Sequence, residues 1–139
     1  MYGAPGSKSS KKIQSGTPKH PTPKDLFASM IAELLESGTW SWVHFEDNRS
    51  RGWIEVALDA NDVLVNFGFP FKNAIEAIFS ERRIKIPKSW RIDYFKKEKA
   101  ATFRLNKSET NIVVSFLDVV FRKLYECPSN YSVGGNFQC

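Results

Sequence analysis

Apolar residues recur at helical spacing early in the chain. Leu26, Phe27, Met30, Ile31, Leu34 and Leu35 fall on one stripe, as in a helix that lays one face on a core. The ends of this helix are encoded locally. Thr22 offers a capping oxygen, Pro23 fits the first helical position, Asp25 suits the positive end of the helix dipole, and Gly38 supplies a left-handed stop. After Gly38 the apolar period shortens to two. Trp40, Trp42 and His44 are placed on one side of a strand over residues 39–46, with Val43 and Phe45 on the other. A turn over 47–52 leads to a second strand over 53–59, where Ile54, Val56 and Leu58 alternate with Trp53, Glu55, Ala57 and Asp59. Ala60, Asn61 and Asp62 form a tight connection into a third strand over 63–67, which completes an antiparallel meander.

Gly68, Phe69 and Pro70 end the meander, and Ile75, Ile78 and Phe79 predict a short helix within 71–80. Residues 90–95 and 101–105 read as a hairpin around the charged turn at 96–99, with Trp90, Ile92 and Tyr94 on one strand face. Ser108 or Thr110 then caps a last helix, whose stripe is Val113, Phe116, Leu117, Val120, Phe121 and Leu124. Pro128 ends it, and residues 131–137 add an edge strand. The element order is α-β-β-β-α-β-β-α. Strands cluster rather than alternate with helices, which predicts an α+β fold: an antiparallel sheet with helices packed on it.

Residues 1–22 are rich in Gly, Ser, Pro, Thr and Lys, with Ile13 their only large aliphatic residue besides Met1. They are expected to form a disordered basic tail, dispensable for folding, ahead of a single domain over 23–139. The charge distribution sharpens this division. Residues 1–24 hold five lysines and no acid, whereas 25–139 hold 15 basic and 15 acidic side chains. The net charge of +5 therefore resides in the first 24 residues. Within the domain, residues 25–79 carry three basic against nine acidic groups, and 80–99 carry eight against three. A neutral, dipolar domain bearing a basic tail is a different object from a basic domain.

Composition excludes several function classes. The 139 residues, 42% hydrophobic with eleven Phe and four Trp, can build one core. No apolar run reaches the ~18 residues of a membrane span, and the N-terminal residues lack a secretory apolar region. A cytoplasmic location is the expectation. Two cysteines and two histidines argue against a disulfide scaffold or a Cys/His zinc site. The acidic turns at 47–48 and 59–62 do not match a calcium loop, and Gly134-Gly135-Asn136 is no phosphate loop. No cofactor and no metal site is expected. His44 reads as a strand histidine without a partnered nucleophile, and the chain is expected to be non-catalytic.

The phrases NFGFPF (66–71), IPKSW (86–90), ATFRL (101–105) and DVVFRKLYECPSNYSV (118–133), in this element order, resemble the type III secretion chaperone-like fold, a group that includes uncharacterised bacterial proteins. The resemblance implies an α+β fold and protein partners, and it carries no catalytic residue.

Two surfaces are candidates for recognition. Trp53 is placed on the strand face opposite Ile54, Val56 and Leu58, and Trp40 and Trp42 share one face of their strand, exposed unless that face is the covered one; tryptophan on an open sheet face is enriched at interaction sites. The corresponding reading is a small adaptor, secretion-chaperone-like or immunity-like module that binds a protein through a sheet face or a paired surface, a second copy of the chain included. The alternative is a nucleic-acid-associated protein using Lys11, Lys12, Arg82, Arg83, Lys96, Lys97 and Lys99, since phosphate sites combine cations with aromatics.

Overall fold

A computed structural model describes residues 10–139. Its first helix, α1 (Pro23–Ser37), starts on a complete capping box. The Asp25 amide donates to Thr22 Oγ1 at 3.2 Å, and the Thr22 amide donates to Asp25 Oδ2 at 3.1 Å. Gly38 closes the helix at φ 69°. Leu26, Phe27, Met30, Ile31 and Leu34 are buried, as their spacing requires.

Seven strands form one antiparallel sheet: β1 (Ser10–Gln14), β2 (Trp42–Asp47), β3 (Trp53–Asp59), β4 (Asp62–Gly68), β5 (Arg91–Lys96), β6 (Ala100–Asn106) and β7 (Val133–Gln138), in the spatial order β1-β7-β2-β3-β4-β6-β5. The helices α1, α2 (Ile75–Glu81) and α3 (Val113–Val119) all pack on one face of it, so the α+β class holds. Between helices and sheet lies a Phe-rich core in which Phe27 meets Phe45 and Phe121, while Phe103 meets Phe67, Phe79 and Phe116. Gly135 lets α1 approach β7 closely, because any Cβ there would run into the Met30 sulfur.

Four expectations are corrected. The disordered-tail reading of 1–22 fails from Ser10 onward, and residues 1–9 lie outside the described residues. Lys11 pairs with Phe137 and Ile13 with Gly135 across the β1–β7 ladder. Ser15 continues the contact, donating its amide to the Val133 carbonyl at 2.9 Å and accepting from the Val133 amide on its hydroxyl at 2.9 Å. The ladder supplies what apolar content does not; Ile13 alone packs on the core, and the Lys11 ammonium lies over the Phe137 ring on its way to Glu33. His20 is buried beside Ser29.

Consequently β7 is no edge strand but lies between β1 and β2. The last helix also begins differently. Asn106 caps a 3₁₀ segment over Lys107–Ile112, accepting from the Ser108 amide, and α3 continues directly from it. A π turn over Val120–Leu124 then carries the chain to Tyr125. Finally, Trp90 precedes β5 and packs on Phe103 and Phe116, whereas Ile92 and Tyr94 are 41% and 50% exposed around a bulge. Among the described residues no helix is long and apolar enough to cross a membrane.

Candidate functional site

The sheet face opposite the helices is open, with no described element packed on it. Register determines what it displays. One row runs across all seven strands: Lys12 beside Asn136, Asn136 beside His44, His44 beside Glu55, Glu55 beside Asn66, Asn66 beside Thr102, and Thr102 beside Tyr94. Side chains in such a row stand within reach of their cross-strand neighbours.

The middle of the row is hydrogen-bonded end to end. Thr102 Oγ1 donates to Asn66 Oδ1 at 2.9 Å, and Asn66 Nδ2 donates to Glu55 Oε1 at 3.4 Å. The second Glu55 oxygen faces His44 Nδ1 at 2.9 Å, while His44 Nε2 faces Glu46 Oε1 at 3.3 Å. Both ring nitrogens meet carboxylates, and only an imidazolium donates from both. The hydrogen bond to Glu55 raises the His44 pKa most; burial opposes it, and Glu46 adds to the rise. The arrangement favours the protonated form of His44 between two carboxyl groups rather than a free base.

Two tryptophans flank this triad. The Trp53 indole stacks on the His44 ring, with centroids 6.0 Å apart and planes 15° from parallel. It also lies over Gly68, where an added Cβ would come 2.7 Å from its Nε1. Trp42 stands on the same face, opposite Ala57 and Gln138. Both are half-buried by their neighbours rather than covered. Beside His44, a shallow depression is lined by Lys12, Gln14, Glu46 and Asn136. There the Asn136 Oδ1 is buried and lacks a hydrogen-bond partner among the described residues.

Trp40 does not join this face. The alternation breaks at a bend at Ser41, and β2 starts only at Trp42. Trp40 instead stacks on Phe137 at 5.2 Å and donates its indole N–H to Glu33 of α1 at 2.9 Å. It belongs to the helix side.

Lys11 and Lys12 of the nucleic-acid reading are not brought together with Lys96, Lys97 and Lys99. Lys11 and Lys12 lie on β1 at one sheet edge, while Lys96, Lys97 and Lys99 lie at the β5–β6 turn near the other. Six strand spacings separate those edge strands, roughly 29 Å. Arg82 bonds Glu126 at 2.6 Å and lies over the Phe71 ring, and Arg83 follows on the helix side.

The rest of the chemistry is structural in character. The Tyr125 hydroxyl lies 2.7 Å from the Gly68 carbonyl and 3.0 Å from that of Trp53, tying the π turn beneath the Trp53 strand. Burial pushes the Cys127 thiol up to about 11, with Asp47 adding to the rise, so it carries no thiolate near neutral pH. Among the described residues no cluster of three His, Cys, Asp or Glu side chains is arranged to hold a metal ion.

The sequence reading found Trp42 and Trp53 but missed Glu46, Glu55, Asn66, Thr102 and Asn136 as a set. These residues meet only through strand register. Compared with known proteins, the chain matches no family model, no curated protein and no solved structure.

Proposed function

We propose that this chain is a small, non-catalytic protein-interaction module, adaptor-like, secretion-chaperone-like or immunity-like, that receives a protein partner on the open face of its sheet. The observation that carries this reading is Trp42 and Trp53 standing on an uncovered face around the His44–Glu55–Glu46 triad. Large aromatics contribute apolar contact at low entropic cost, and half-buried ones lose little more freedom on docking. The charged row beside them fixes orientation, since a partner must satisfy or avoid an imidazolium between two carboxylates. A bacterial cytoplasmic setting belongs to the same proposal and rests on the resemblance of the element order and phrases given above. The test is affinity capture from the source cell with wild-type protein and with Trp42→Ala/Trp53→Ala. A partner lost by the variant, at unchanged fold, supports the reading. A partner retained at equal yield refutes it.

A further inference from the structure

On the helix side, away from the sheet face, the connection after α2 runs beside α3 and leaves a groove between them. Its floor is Phe116 and Val119, its mouth holds Ile112, and its rim carries Arg83, Lys85 and Lys123. Ile112 is 36% exposed, one of three large hydrophobic residues so exposed among those described. The walls are tied together, because Lys123 Nζ donates to the Arg83 carbonyl at 3.0 Å.

The groove is lined by three cations and no carboxylate. Neighbouring cations are matched internally: Arg82 pairs with Glu126 at 2.6 Å, and Arg122 pairs with Asp118 at 2.8 Å. Arg83, Lys85 and Lys123 are solvent-exposed and have no carboxylate within ion-pair distance among the described residues. Three unmatched cations thus surround an apolar floor. A bare apolar groove fits many occupants, whereas this one discriminates by charge.

We propose that this groove docks an acidic amphipathic peptide segment of a partner protein, its apolar residues on Ile112 and Val119 and its carboxylates on Arg83, Lys85 and Lys123. Helix-in-groove recognition uses this combination of apolar anchors and flanking charge. A nucleic acid fits less well. Phosphates would find the cations, but bases would meet aliphatic side chains, and the one aromatic ring in the floor, Phe116, is only 6% exposed. The groove is independent of the open sheet face, and either surface can stand without the other.

The test titrates the isotope-labelled 139-residue chain with a synthetic amphipathic peptide of about four helical turns, with leucines at helical spacing and glutamates flanking them. A second peptide keeps the leucines and replaces each glutamate with lysine, and a single-stranded oligonucleotide is the third probe. The glutamate peptide is expected to bind and to shift the amide signals of Lys85, Ile112, Ser115, Val119 and Lys123. The lysine peptide is expected to bind at least tenfold more weakly. Lys123→Glu is expected to weaken the glutamate peptide about tenfold, a loss typical of reversing a contact charge. Lys85→Glu, which breaks no hydrogen bond of the fold, is the second variant and should act in the same direction. Equal binding of both peptides, shifts confined to the sheet face, absence of glutamate-peptide binding, or tighter oligonucleotide binding through the same residues would each overturn the proposal.

Discussion

His44 Nδ1 lies 2.9 Å from Glu55 Oε2, directly across the β2–β3 ladder at the centre of the open sheet face. The contact makes the folded protein a stronger base at this position than the unfolded chain. Because the folded pKa is raised above the ordinary 6.5, the protonated pair stabilises the fold fully below that value. The contribution is lost as pH rises through the raised folded pKa. Proton titration of the His44 ring by NMR should therefore give a midpoint above 6.5. The stability gap between wild type and His44→Gln should be largest in mild acid and shrink as pH rises past that midpoint. A midpoint at or below the ordinary value would contradict the geometry.

The β1–β7 ladder makes a second prediction. Removing residues 1–14 takes away β1 and uncovers the edge of β7. The melting temperature should fall by about 5 °C or more. Ser15→Ala should cost ~1–3 kcal/mol in denaturant unfolding, because the buried Val133 amide loses the hydroxyl that accepts from it. An unchanged melting temperature for the truncation would mean that β1 contributes nothing to the fold.

Much of the fold is legible locally, and the remainder depends on distant partners. The helix α1 is written between Thr22 and Gly38, so cap, stripe and stop are all read from neighbouring residues. The meander β2–β3–β4 follows from alternation and short turns. Strand β1 escapes that reading, because a segment with one aliphatic residue is held by a partner more than a hundred positions away. Trp40 escapes it too, since period-two counting cannot register the bend at Ser41. The polar row on the open face needs the register of six strand pairs at once. Its residue types are ordinary turn and strand polars, and nothing in their spacing announces that they meet.

Close packing at Gly135 gives a third prediction. Gly135→Ala drives a methyl into the Met30 sulfur and should destabilise the protein by ~1–3 kcal/mol. Combining it with Met30→Ala should cost less than the two single changes added together, because the smaller helix residue makes room. Strict additivity in a double-mutant cycle would show that α1 and β7 do not meet there.

Tyr125 connects the helix side to the tryptophan-bearing strand. Its hydroxyl serves the buried Gly68 carbonyl, so Tyr125→Phe should cost ~1–2 kcal/mol. It should also loosen the base on which the Trp53 indole rests, seen as reduced anisotropy or altered intensity of indole fluorescence. A variant as stable as wild type would remove this link.

Trp53 is proposed to face a partner rather than a core, and Trp53→Ala tests this most directly when stability and partner capture are measured on the same preparation. A core tryptophan would cost ~3–5 kcal/mol on truncation. Trp53 lies over Gly68 and His44 on the open face, so its loss should cost only ~1 kcal/mol. Partner binding should weaken by ~2 kcal/mol or more. The expected variant is cooperatively folded, with a melting temperature a few degrees below wild type, and no longer retains its partner. An unfolded variant, or a folded one that captures the same protein at the same yield, would contradict it.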